Sequence, residues 1–176
     1  ESHWKGLFRL ASTECRLANL KRTLETKMKK VLVIGGSGFL GSHTADELTR
    51  RGYHVSLFDE SESRWRTPEQ VMHVGNILDK NALDAVLDGI DVVYHFAGIA
   101  DINESAERPF DTINVNVSGT AQIIDAAVRA RVKRFIYAST IYVFSPFGSF
   151  YRASKQAAET IIEAYNEQFD LDYTIL

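Results

Sequence analysis

The stretch from Lys29 to Gly41, KKVLVIGGSGFLG, constrains this chain more than any other. Val31–Ile34 is a short run of mostly β-branched apolar residues, the pattern of a strand buried on both faces. Glycines follow at Gly35, Gly38 and Gly41, with Gly36 an extra one inside the spacing, and from Phe39 the sequence reads as helix. A strand, a glycine-rich turn and a helix start together suit a pyrophosphate. Without a Cβ the backbone turns tightly and comes close to phosphate oxygens, and the helix N-terminus presents free N–H donors and the positive end of its dipole. Gly35, Gly38, Phe39, Leu40 and Gly41 are therefore the candidate phosphate-side residues. The spacing is G-x-x-G-x-x-G, unlike the G-x-G-x-x-G of many dehydrogenases, and only the flanking strand and helix give it meaning.

The rest of the chain repeats the alternation. After a helix over about Gly41–Arg51, strands are expected at Tyr53–Phe58, Val71–Val74, Asp91–His95 and Phe135–Ala138. Helices are expected near Lys80–Leu87, with Asp79 as N-cap, within Ala106–Ala130 from Pro109 onward, and from Tyr151 to about Gln168. Asp172–Leu176 reads as the start of a further strand, inside which the sequence stops. This order implies an α/β fold, a Rossmann-type doubly wound parallel sheet with helices on both faces and right-handed crossovers.

Composition narrows the partners. The 176 residues suit one domain, and 45% hydrophobic with 24% charged residues is ordinary for a globular protein. The net charge of −3 divides into +5 over residues 1–30 and −8 over residues 31–176. An acidic body disfavours nucleic acid as a partner. Cys15 is the only cysteine, which makes a reducing, cytoplasmic setting the expectation, and no apolar run suggests a membrane span. Glu1–Lys27 stands outside the pattern. Leu10, Leu17 and Leu24 recur at heptad spacing, compatible with an amphipathic helix, while the plainer reading is an extension foreign to the domain that begins at Met28.

Three further places carry chemistry. Asp59 ends the second strand 18 residues past Gly41, where an acid accepts from adenosine ribose hydroxyls and repels a 2′-phosphate. That favours NAD over NADP, against a counter-signal from Arg64 and Arg66 in the following loop. Phe96-Ala97-Gly98 continues the fourth strand with small residues that let backbone pass close to a flat cofactor. His95, ending that strand, is expected to be structural, held by a backbone hydrogen bond. Tyr151 and Lys155, four apart, share one face of a helix. A phenol is a poor base at neutral pH, and a nearby ammonium together with an oxidised nicotinamide brings a phenolate into range. Thr140 offers a hydroxyl to hold the substrate oxygen while the proton moves. No metal site is part of this reading.

With those residues in order, the chain from Lys29 to Leu176 resembles the extended short-chain dehydrogenase/reductases, in the NAD-dependent epimerase/dehydratase group. The resemblance is carried by GGSGFLG, Asp59, GNILD, HFAG, NVSGT, ASTIYVF and YRASK with Glu159 beyond. It is most similar to the 4-epimerase type acting on UDP-sugars. The resemblance implies NAD as cofactor, Tyr151 as base and acid, Lys155 as its tuner and ribose ligand, and Thr140 as hydroxyl partner. It also implies that Asn76 and Ile77 meet the adenine, that Ala97 and Gly98 lie against the cofactor, and that Asn116 organises the centre of the site. A nucleotide-sugar substrate and a homodimer through helices around 109–130 and 150–168 follow in the same way. The departures are specific. Asn76 stands where the family usually has an aspartate, and Ala100 where the nearest epimerases have a lysine. Ile141 and Tyr142 replace the Asp-Glu pair of sugar dehydratases, which disfavours dehydration. Only ten residues separate Thr140 from Tyr151, about half the usual number in sugar-active relatives, and the family's substrate domain would lie beyond Leu176. Simple reduction or oxidation with exchanging cofactor, or a non-catalytic dinucleotide-binding fragment, are the alternatives.

Overall fold

A computed structural model describes residues 29–176; the readings made for Glu1–Lys27 and for Met28 lie outside the described residues. The central strand, β1 (Lys30–Ile34), has its last four residues fully buried. It pairs in parallel on one side with β2 (His54–Asp59), which pairs with β3 (Val71–Val74). On the other side lie β4 (Val92–His95), β5 (Arg134–Tyr137) and β6 (Tyr173–Ile175), all parallel, giving the order β3-β2-β1-β4-β5-β6. The order reverses between β1 and β4, so the chain leaves those two strands in opposite directions and opens a crevice at their C-terminal ends.

The helices are α1 (Phe39–Arg50), α2 (Lys80–Leu87), α3 (Ile102–Glu107), α4 (Pro109–Ile113), α5 (Thr120–Arg129) and α6 (Ser149–Phe169). Successive β1 residues point to opposite faces. Leu32 and Ile34 join the larger core with Phe58, Leu83, Leu87, Val93, Ile123, Phe135 and Ile162, under α2, α5 and α6. Val31 and Val33 join Ala45, Leu48, Val55 and Leu57 under α1. Burying such side chains contributes roughly 1.5–3 kcal/mol each. The unbroken apolar run of β1 is thus explained by cover on both faces. Asp79 caps α2 as expected, accepting from the Asn81 and Ala82 N–H groups.

The helix expected from Pro109 onward does begin there, but it is not one continuous α-helix to Ala130. Arg108 takes φ −127° and ψ 61°, outside helical space, because the ring of Pro109 crowds the residue before it. A separate helix, α3, therefore precedes α4, and its start at Asp101, which accepts from Asn103 and Glu104 N–H, was not foreseen. Between α4 and α5 the backbone widens into a π-helical stretch, Asn114–Gly119, which turns Asn116 inward. Elsewhere strand and helix ends differ from expectation by one or two residues, as frayed termini do. No helix among the described residues is long and apolar enough to cross a membrane.

Candidate functional site

The glycine turn sits at the crevice. Gly35 takes φ +82° and donates its N–H to the Phe58 carbonyl at 2.8 Å, tying the end of β1 to β2. A Cβ on Gly35 would lie 2.6 Å from the Ala97 nitrogen, and one on Gly41 would overlap the Gly35 carbonyl oxygen. Those two glycines are required by the fold. Gly38 is different: its φ is −78° and a Cβ there would meet nothing nearer than 3.4 Å. As the N-cap of α1 it provides no side-chain acceptor, and the first turn holds no acid. The leading N–H groups of a 12-residue helix are left to an outside acceptor, which fits a pyrophosphate.

A cleft of about 540 Å³ runs from this turn between the ends of β1, β2 and β4. Gly35, Gly38, Asp59, Asn76, Ile77, Ala97 and Gly98 all line it, so seven of the expected cofactor residues are brought together. Asp59 accepts from the Ser37 N–H at 3.0 Å and the Ser61 N–H at 3.3 Å, locking the glycine turn to β2. Phe39, Leu40, Gly41, Asn116 and Lys155 are not among the lining. Phe39 is largely exposed at the helix start, and Leu40 turns into a separate groove with His43, Tyr53 and Tyr94. Any contact these two make with a phosphate is through backbone N–H. Glu60, Glu104, Arg108 and Asp111 also line the cleft and were missed by the sequence reading. Only Glu60, adjacent to Asp59, carried a positional hint.

The second half of the site lies on α6 and the end of β5. Tyr151, Ser154, Lys155, Ala158 and Ile162 form the buried stripe of α6. Lys155 Nζ donates to the Ala138 carbonyl at 2.8 Å and stands 4.6 Å from the Tyr137 ring centroid and 5.9 Å from that of Tyr151. Burial pushes the Lys155 ammonium down to about 8, opposed by the charge of Glu159. Glu159 accepts a short hydrogen bond from Ser139 Oγ. Lys155 and Glu159 thus clamp the end of β5 one helical turn apart. Thr140 Oγ1 accepts from the Tyr142 N–H at 3.3 Å, and Tyr142 packs edge-on against Tyr151. Asn116 bonds the Ile99 N–H and carbonyl at 2.8 and 2.9 Å and donates to Ser154 Oγ at 3.0 Å, linking the loop after β4 to α6.

His95 is fully buried with Nε2 at 2.9 Å from Thr120 Oγ1, so a side chain, not the expected backbone group, is its partner. Burial, then the Lys155 charge, pushes it down to about 3, leaving it neutral. Tyr137 Oη is buried without a hydrogen-bond partner, and burial raises its phenol well above the usual value. Arg66 donates to the Gln70 carbonyl, and neither it nor Arg64 lines the cleft. Ala100 is exposed just before α3.

The chain is similar to known proteins in sequence and in fold. The chain is 37% identical over 128 residues to a UDP-glucose 4-epimerase of Yersinia pestis, covering 65% of this chain and 37% of that protein. It is 32% identical over 168 residues to a 3 beta-hydroxysteroid dehydrogenase/Delta 5-->4-isomerase of Mycobacterium tuberculosis, covering 82% of this chain and 45% of that protein. The solved UDP-glucose 4-epimerase from Brucella ovis in complex with NAD superposes with a TM-score of 0.77 at 30% identity, over 84% of this chain and 50% of that one. The chain therefore spans half or less of the length of each of these proteins. A family model for NAD dependent epimerases/dehydratases matches residues 31–176, the whole of the strand-and-helix pattern described above. The chain belongs to the NAD dependent epimerase/dehydratase family.

Proposed function

We propose that this chain is the NAD-binding part of a nucleotide-sugar epimerase of the 4-epimerase type. The observation that carries the reading is the fixed pair on α6, Lys155 anchored to Ala138 and beside the Tyr151 ring, in the same fold as a cleft that starts from an uncapped helix N-terminus. The glycine turn and the N-terminus of α1 would hold the pyrophosphate of NAD, and Asp59 with Asn76 and Ile77 its adenosine. Bound there, NAD would supply the hydride acceptor and donor for the substrate carbon.

The residues of this chain do the rest. Tyr151 takes the proton of the substrate hydroxyl as the carbon becomes a ketone, and gives it back when the carbon is reduced on its other face. Lys155, charged below about pH 8, supplies fixed positive charge beside Tyr151 and a donor for ribose. Thr140 hydrogen-bonds the substrate oxygen. Asn116 holds the loop after β4 against α6, so the two halves of the site keep their spacing. A homodimer through residues 109–130 and 150–168 belongs to this reading, supported by the exposed side chains of Phe110, Ile113 and Phe150.

A second reading, an NAD-linked dehydrogenase or reductase on an apolar alcohol or ketone, is favoured by one observation. The ten residues between Thr140 and Tyr151 carry no charge, and Ile141, Phe144 and Phe147 among them are exposed. The likeness to a steroid dehydrogenase over 82% of the chain points the same way. Incubation with UDP-glucose and NAD separates the two. Formation of the C4 epimer without net NADH supports the epimerase; NADH in proportion to product, with a sugar or an apolar alcohol, supports the dehydrogenase. Neither product from folded protein that binds NAD contradicts both and leaves a non-catalytic dinucleotide-binding fragment.

A further inference from the structure

The adenosine end of the cleft contains a carboxylate that no motif assigns. Glu60 Oε1 accepts from Asn76 Nδ2 at 2.7 Å, bridging the end of β2 and the loop after β3. Asn76 Oδ1 accepts from the Leu78 N–H at 2.7 Å. That bond fixes the amide, because a flipped Asn76 would set its NH2 against an N–H. The side chain therefore presents a donor to Glu60. An aspartate at this position would set two carboxylates at hydrogen-bond distance, which disfavours the ionised form of each. Asn76 supplies Glu60 with a donor that an ionised aspartate would not.

The division of labour with Asp59 follows from its partners. Both Asp59 oxygens already accept backbone N–H groups, from Ser37 and Ser61. The second oxygen of Glu60 has no donor among the described residues, and Glu60 and Asn76 both line the cleft. No free cation among the described residues of the lining offsets this charge: the one basic residue there, Arg108, is bonded to Glu104 at 3.1 Å and Asp111 at 2.9 Å.

We propose that Glu60, oriented by Asn76, is a specificity-determining residue of the cleft, and that this pair adds to Asp59 in admitting an unphosphorylated adenosine ribose and excluding a 2′-phosphate. The inference rests on the assignment of the cleft to NAD. It makes positions 60 and 76 dependent on each other.

The test is calorimetric titration of the 176-residue chain with NAD and with NADP, for wild type, Glu60→Gln, Asn76→Asp and the double variant, each checked by thermal unfolding. Both side chains are exposed, so all four proteins are expected to fold. In Glu60→Gln the NAD-over-NADP preference falls about five-fold at low salt and the difference from wild type shrinks towards ~1 M salt, as a screened charge requires. Asn76→Asp weakens NAD about three-fold through like-charge repulsion, and adding Glu60→Gln restores it. An unchanged preference in Glu60→Gln overturns the role of Glu60. Asn76→Asp binding NAD as tightly as wild type overturns the pairing. Folded wild type that binds no NAD overturns the cleft assignment and this inference with it.

Discussion

The two ends of the site are built by different means. The phosphate end is backbone: a turn closed by Gly35 against Ala97 and by Gly41 against Gly35, with helix N–H groups as the offered donors. The chemical end is side chain: Tyr151, Lys155 and Asn116 buried on two helical segments, tied to β5 and the loop after β4 by hydrogen bonds. The first is steric, set by backbone contacts. The second holds two buried bases, His95 and Lys155, both displaced downward by desolvation. Binding and chemistry are therefore separable by mutation.

The sharpest separation is Tyr151→Phe. Turnover is expected to fall by about 100- to 10,000-fold, the scale of a lost general acid–base, while NAD binding by calorimetry stays within a small factor. Unchanged turnover would remove Tyr151 from that role and break the division between the two ends. Gly41→Ala attacks the other end. Its Cβ would displace the Gly35 carbonyl, so the loss is in folding, about 3 kcal/mol by urea denaturation. Wild-type stability in that variant would show that the turn is not the rigid element described.

The pH dependence belongs to the chemical end. His95 titrates at about 3 when folded and near the ordinary histidine value of roughly 6.5 when unfolded. Below that value the unfolded chain binds more protons, so the His95 contribution to stability is lost as pH falls from about 6.5 towards 3. Lys155 gives a second window, on the alkaline side. Between about 8 and the free lysine value of roughly 10.4 the unfolded chain again binds more protons, so stability rises with pH there. Denaturation curves of Lys155→Met from about pH 7 to 10 are expected to lack that rise; a rise as large as in wild type would assign it elsewhere.

The sequence revealed the phosphate end better than the chemical end, for physical reasons. A buried parallel strand must be apolar throughout, and a tight turn must be glycine, so Val31–Gly41 leaves a local signature. Glycine type alone, however, does not distinguish Gly41, which the fold requires, from Gly38, which it does not. The helix start at Pro109 was legible in the proline itself, whereas the π-helical widening at Asn114–Gly119 has no local marker. Contacts between distant segments were the least visible: Glu60 with Asn76, Ser139 with Glu159, and His95 with Thr120 join residues that no spacing rule relates.

The most direct measurement is calorimetric NAD binding by the wild-type chain and by Gly38→Ala, with unfolding followed in parallel. A Cβ added at Gly38 has room in the protein, so stability should change by no more than about 1 kcal/mol. The account predicts micromolar NAD binding by wild type, with NADP weaker, and a loss of about ten-fold or more in Gly38→Ala because backbone approach to the phosphates is blocked. Equal NAD binding by the two proteins, or none by folded wild type, would contradict it.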